Sequence, residues 1–222
     1  MAHKSIAIII CSTRPGRINP FVARHVLDEM TKAQANEETT RNRSGAETKL
    51  KLELVDLAAQ HLPLSEEPAV PAHLPAGDPT PHYGHASTRA WSAVVRRHDA
   101  FVFVTPQYNW SVPASLKNAL DLLYHEWAGK PAAIVTYGSR GGPKAAGHLR
   151  QILAGLHMGP VAEPAVALRL VWPEKDPELG GKQQQGTAEA KAQAAMHQLW
   201  QTEGEDDKIR IMYGQLVELL LP

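Results

Sequence analysis

One cysteine, Cys11, stands in the 222-residue chain, so no disulfide can close within it. That usage fits a reducing compartment, and the cytoplasm is the expected location. Cys11 ends an apolar run and reads as buried packing, not as a nucleophile. Charge of one sign is also missing: Lys+Arg and Asp+Glu both number 23, for a formal net charge of zero. A nucleic-acid partner is not expected, since such proteins carry a clustered basic surplus. No apolar run approaches the roughly 18–20 residues that span a membrane, so no membrane partner is expected. The N-terminal MAHKSIAIII enters a strand directly, and no signal peptide is expected. No set of ligands has a recognised metal spacing, and His73, His82 and His85 read as solvated loop residues.

What is present is a regular alternation. Ser5–Cys11 is continuous and β-branched, the pattern of a buried strand. Phe21, Val22, Val26, Leu27 and Met30 recur at helical spacing over 17–30. Leu50–Leu57, Ala100–Thr105, Pro131–Tyr137 and Val161–Leu168 read as four further strands. Ser87–Arg97, Pro113–Tyr124, Gly142–Leu156, Ala188–Trp200 and Ile209–Leu221 read as helices. Buried strands alternating with helices predict a parallel sheet covered on both faces, in one domain over 1–222. Two polar stretches, at 36–49 and about 174–207, read as insertions, the first as a loop. The six prolines between His61 and Tyr83 predict a long surface loop.

In such a sheet ligands bind outside the carboxyl ends of the strands. The loops that leave strands one, three and four should therefore carry function. Ser12–Asn19 packs hydroxyls and guanidinium groups at a helix start, which suits an anion. G-x-x-x-x-G-K-[ST] and G-x-G-x-x-G are both absent from it, which excludes the P-loop and dinucleotide fingerprints. A ligand ending in one phosphate remains. The second loop, from Thr105, presents Gln107, Tyr108, Asn109 and Trp110, a flat aromatic and amide surface suited to a planar ring. The third, Thr136–Leu149, holds Gly138, Gly141 and Gly142, where backbone donors can approach a polar ring edge. A phosphate, a ring and a polar ring edge together describe flavin mononucleotide, FMN.

The segments STRPGR, FVFVTPQYNWSVPASLKNALD and EWAGKPAAIVTYGSRGG resemble those of the NADPH-dependent FMN reductase family, flavodoxin-like quinone and flavin reductases. The resemblance implies a flavodoxin-like three-layer fold with five parallel strands in the order 2-1-3-4-5. It implies noncovalent FMN, NADPH as cosubstrate, a small-molecule acceptor, and a homodimer or homotetramer with the flavin near the interface. Carried over by position, Ser12, Arg14, Arg17 and Asn19, with Ile18 between them, would surround the phosphate. Pro106, Gln107, Tyr108 and Asn109 would line the ribityl chain and ring, with Trp110 beside them. Tyr137, Gly138, Ser139 and Gly141 would sit at the pyrimidine edge. Gln107 departs from the glutamate usual in the family, a change expected to alter an interface ion pair.

The chemistry belongs to the flavin, so no side-chain acid or base is required. Two other classes share the same flavin site: an electron carrier, and a redox-responsive binding protein. Resistance to reduction by NADPH would mark either one.

Overall fold

The computed structural model describes residues 4–41, 50–64, 67–171 and 181–221. Five parallel strands form one sheet: β1 Lys4–Ile10, β2 Leu50–Asp56, β3 Ala100–Pro106, β4 Ala132–Gly138 and β5 Val166–Arg169. Their spatial order is β2-β1-β3-β4-β5, the flavodoxin-like order. Six α-helices connect and follow them: α1 Asn19–Arg41, α2 Ala86–Arg96, α3 Ala114–Asp121, α4 Pro143–Gly155, α5 Gly181–Thr202 and α6 Glu205–Leu220.

Strand periodicity divides the core into two layers. Ile6, Ile8 and Ile10 of β1 join Val102 and Val104 of β3 under α1, α5 and α6. Ala7 and Ile9, with Phe101 and Phe103, face the other way toward α2, α3 and α4. Because both faces are covered, β1 and β3 read as unbroken apolar runs instead of alternating ones. On the second face Trp127 meets Phe101 edge-on, with ring centroids 5.0 Å apart. The indole nitrogens of Trp91 and Trp127 donate to the carbonyls of Ala119 and Leu120, at 2.8 and 3.3 Å. Two wide rings are thereby buried without stranding a donor.

On the first face α6 is fastened to α1 by buried polar groups. The Glu29 carboxylate accepts from Arg210 Nε at 2.9 Å and from Lys32 at 2.6 Å. His25 shares a 3.0 Å hydrogen bond with Asp206. Among the described residues no helix is long and apolar enough to cross a membrane.

Several boundaries differ from those expected. Asn36–Arg41 continue α1 and are not loop. The helix ladder runs on past Ala33, the last buried apolar residue on that helix, after the apolar rhythm has ended. The rest of the stretch to 49 lies outside the described residues. The second polar stretch lies outside them up to 180, and α5 starts at Gly181, not Ala188. The final helix begins at Glu205, after Gly204 with φ +72°, so the acidic cluster opens α6. β5 covers only Val166–Arg169, with Val161 reduced to an isolated bridge to Ala132. The proline-rich segment is the expected surface loop, with two short 3-10 turns at Pro71–His73 and Thr80–His82. Tyr83 closes it: its buried hydroxyl donates to Glu126 at 3.1 Å, and Ser92 donates to the same carboxylate at 2.5 Å.

Candidate active site

The exits of β1, β3 and β4 lie side by side because those strands are neighbours in the sheet. The chain leaves β1 through buried Cys11 and Ser12 into the exposed turn Thr13–Gly16. Burial pushes the Cys11 thiol well above its ordinary pKa, and Sγ donates to Ile9 O at 3.3 Å. Cys11 is thus a packed thiol, as expected.

Ser12 is the hinge of the site. Its N–H donates to Asn19 Oδ1 at 2.7 Å. The Asn19 amide nitrogen donates to Val104 O of β3 at 3.1 Å. Asn19 is fully buried, so its carboxamide braces the loop from beneath. The Ser12 hydroxyl lies 2.9 Å from the Tyr108 hydroxyl, which joins the first exit loop to the second. The Arg14 guanidinium sits 4.0 Å over the Tyr108 ring centroid, a cation–π stack. Arg17 turns the other way and pairs with Asp56 at the end of β2. Its Nε is buried without a partner. Ile18 packs against the core. Among the described residues the N–H groups of Thr13, Gly16 and Ile18 donate to no protein acceptor. Three free backbone donors, the Thr13 hydroxyl and one exposed guanidinium match the chemistry of a phosphate monoester.

The second loop is a tight turn. Tyr108 and Ser111 exchange both backbone hydrogen bonds, at 2.9 and 3.0 Å. Asn109 and Trp110 at its centre have φ of +46° and +70°, the sign pattern of a type I′ turn. Asn accepts that conformation readily, whereas a bulky ring does so only under constraint. Trp110 is 66% exposed and therefore not core.

The third loop is locked to the second. Gln107 N–H donates to Tyr137 O at 3.1 Å. Gln107 Oε1 accepts from the Lys144 and Ala145 N–H groups, at 2.9 and 3.3 Å, and so caps α4 from the neighbouring loop. His148 on α4 shares a 2.9 Å hydrogen bond with the Ser111 hydroxyl. Gly141 and Gly142 have φ of +75° and +83°. A Cβ on Gly141 would lie 2.8 Å from Ala167 O, so glycine is required there. Thr136 Oγ1 donates to Gly141 O at 2.7 Å. Tyr137 is buried, and burial first, then Tyr108 and Cys11, push its pKa far up. Its phenol stays protonated. Among the described residues the Ser139 and Arg140 N–H groups have no acceptor in the protein. They suit the carbonyl edge of a heterocycle.

The structure thus gathers Ser12, Arg14, Pro106, Gln107, Tyr108, Asn109 and the 137–141 loop at one end of the sheet. Arg17, Ile18 and Asn19 serve the framework with their side chains. Sequence reasoning missed Asp56, which holds Arg17, and Ser115, whose hydroxyl donates to Cys11 O at 2.8 Å. It also missed Thr136. Asp56 and Ser115 are recognisable only through long-range partners, and Thr136 only through Gly141. A cavity of about 200 Å3, lined in part by Thr13, His61, Ser115 and Asn118, adjoins the first loop.

Strand order defines a flavodoxin-like α/β protein, with free backbone donors in its first exit loop. The sequence pattern of the NADPH-dependent FMN reductases matches residues 5–173, and the chain belongs to that family of oxidoreductases. It is 41% identical over 165 residues to the NAD(P)H-dependent FMN reductase LOT6 of Saccharomyces cerevisiae, covering 73% of this chain and 80% of that one. A quinone reductase of Escherichia coli is 39% identical over 108 residues, 46% of this chain and 57% of its own. Among solved structures, the flavoenzyme NAD(P)H:(acceptor) oxidoreductase FerB of Paracoccus denitrificans superposes with a TM-score of 0.52. Its identity is 21%, covering 93% of this chain and 97% of that one. An oxidoreductase of Corynebacterium diphtheriae superposes at 0.57 with 15% identity, covering 98% and 97%. These two structures share the fold.

Proposed function

We propose that this protein holds FMN across the exits of β1, β3 and β4 and passes hydride from NADPH to a small acceptor. The acceptor class is a quinone, free flavin, azo compound or metal ion. One observation carries the reading: the Ser12–Tyr108 hydrogen bond, which sets an anion loop against an aromatic turn. In this reading Ser12, Arg14 and the free N–H groups of Thr13, Gly16 and Ile18 bind the phosphate. Arg17, paired with Asp56, braces the loop behind them. Pro106, Gln107, Tyr108 and Asn109 line the ribityl chain and ring, and Trp110 stands at the outer edge. Tyr137, Gly138, Ser139 and Gly141 face the pyrimidine edge.

When bound, FMN supplies the two-electron chemistry. The chain orients the ring and aims the Ser139 and Arg140 N–H groups at its polar edge, where they stabilise negative charge. We also propose a single domain over 1–222, a homodimer or homotetramer, and, on the lone cysteine, a cytoplasmic setting.

The test is a visible absorption spectrum of the purified protein, repeated after NADPH is added without oxygen. The expected result is a flavin band that bleaches fully. A flavin that stays oxidised would shift the reading to an electron carrier or redox sensor. No flavin, even after incubation with FMN, would remove the cofactor from the proposal.

A further inference from the structure

We infer that Arg140 and Lys144, with the face of Trp110, bind a phosphate of the nicotinamide cosubstrate. This rests on the reductase reading above.

The first observation concerns charge. Residues 1–27, 100–120 and 127–162 contain no Asp or Glu, although the whole chain is neutral. All three exit loops fall inside those stretches. Many cations are matched with carboxylates: Lys4 with Asp99, Arg17 with Asp56, Arg97 with Glu53, Arg169 with Glu203 and Arg210 with Glu29, while Arg89 and Lys130 donate to backbone carbonyls. Among the described residues Arg14, Arg140 and Lys144 have no carboxylate partner. FMN carries one phosphate, and Arg14 stands at the loop that suits it. Arg140 and Lys144 are exposed cations beyond what that cofactor requires.

The second observation concerns Trp110. It is the one aromatic among the exposed large hydrophobic residues described. Its positive φ is strained for a bulky side chain, a strain that persists only where surroundings impose it. The two backbone bonds between Tyr108 and Ser111 and the Ser111–His148 bond impose it. The indole contributes nothing to the core in return. Lys144 Nζ lies 5.6 Å over its ring. Gln107 Oε1 accepts from the Lys144 N–H, which ties the backbone of Lys144 to the loop that carries Trp110.

The two rings of one four-residue turn thus each carry a cation: Arg14 on Tyr108 and Lys144 on Trp110. An adenosine phosphate fits the second pair, the base stacking on the indole and the phosphate meeting the ammonium and guanidinium. NADPH offers two sources for that phosphate, the 2′-phosphate and the pyrophosphate.

The experiment compares the wild type with the double variant Arg140→Gln, Lys144→Gln. Calorimetric titrations use adenosine 2′,5′-bisphosphate and ADP, with and without FMN. Steady-state rates give KM for NADPH and for NADH. The expected result is a roughly tenfold weaker bisphosphate affinity and a similarly raised KM for NADPH. Unchanged ADP affinity and NADH KM would assign the 2′-phosphate. Equal losses for ADP and NADH would assign the pyrophosphate, and both results support the rim. Unchanged values for all four ligands, in a variant that melts normally and holds FMN, would overturn it. Trp110→Gly serves as a second variant, because it removes the ring while relieving the positive φ. It should weaken adenosine 2′,5′-bisphosphate and ADP together, and unchanged affinities would refute the stacking role. A rim that fails while NADPH still reduces bound FMN leaves the reductase reading intact. Fragment binding without any FMN uptake sinks the cofactor instead.

Discussion

The hydroxyls of Ser12 and Tyr108 lie 2.9 Å apart across a sequence separation of 96 residues. Ser12 belongs to the β1 exit and Tyr108 to the β3 exit, so this contact sets how far the two loops stand apart. Tyr108→Phe removes the bond but keeps the ring under Arg14. A neutral hydrogen bond contributes about 0.5–1.5 kcal/mol net. FMN affinity is therefore expected to fall about two- to tenfold, read by quenching of flavin fluorescence. An unchanged affinity would mean that the loops keep their spacing without the bond.

Arg14 should matter more. Its guanidinium is exposed, stacked on Tyr108 and free of any carboxylate among the described residues. Charge-assisted bonds to phosphate are stronger than neutral ones. Arg14→Ala should weaken FMN binding about 10- to 100-fold with little change in Tm. If a normally melting Arg14→Ala protein binds FMN as tightly as the wild type, the phosphate lies elsewhere.

Gln107 gives a prediction with a sign. Its Oε1 accepts from two N–H groups at the start of α4. Removing a cap of this kind costs about 1 kcal/mol, or roughly 2–4 °C of Tm in a chain of this size. Gln107→Ala should show that loss. Gln107→Glu keeps an acceptor for both N–H groups and places negative charge at a helix N-terminus, which is favourable, so it should melt at or above the wild-type temperature. A Gln107→Glu protein that melts as low as Gln107→Ala would show that the amide group itself is needed.

Acid should destabilise the fold through its buried histidines. Burial, the largest influence, pulls His25 below its ordinary pKa of 6.5, although Asp206 pulls the other way. Burial does the same to His98, against its bond with Val94 O. The unfolded chain binds protons near pH 6.5 that the folded chain refuses, so this stability is full above that pH and is lost as pH falls. Glu29 adds a second, lower limb. Burial raises it, but the hydrogen bonds from Lys32 and Arg210 win and hold it below 4.5. Its contribution is present above that value and disappears beneath it. Tm should fall between about pH 7.5 and about pH 5.5, and His25→Gln, which keeps a donor toward Asp206, should flatten that limb. A His25→Gln profile parallel to the wild type would assign the limb to other groups.

The sequence made the sheet readable because parallel strands buried on both faces are continuous apolar runs. β1 and β3 show this within a residue at each end. The three exit loops were readable because anion-binding and turn-forming residue types cluster there. What escaped depended on long-range partners. Arg17 is expected beside the phosphate, and its partner was not legible: the β1–β2 register sets Ile10 opposite Asp56, and that carboxylate pairs with the guanidinium. Asn19 is expected around the phosphate, and its brace was not legible: its amide reaches Val104, 85 residues away. The late turns of α1 escaped because Asn36–Arg41 has no apolar rhythm to mark a helix. Trp110 at positive φ follows from the Tyr108–Ser111 bonds, and nothing about tryptophan announces it.

Two glycines with similar backbones should respond differently to the same substitution. Gly16 and Gly141 have φ of +66° and +75°. An L-residue there pays roughly 1–2 kcal/mol in backbone strain. A Cβ on Gly16 meets nothing within 4 Å, so Gly16→Ala should cost only that strain. A Cβ on Gly141 would lie 2.8 Å from Ala167 O and 3.0 Å from Ala167 Cβ. Ala167 is on β5 and pairs in register with Thr136, whose hydroxyl holds Gly141 O. The loop cannot retreat without breaking that bond, and β5 cannot retreat without leaving the sheet. Gly141→Ala should therefore lower Tm clearly more than Gly16→Ala, each kcal/mol appearing as about 2–4 °C. It should also weaken FMN, since the displaced loop carries the Ser139 and Arg140 donors. Equal losses of Tm in the two variants would show that the β5 edge yields, and that the third loop is not held by its neighbour strand.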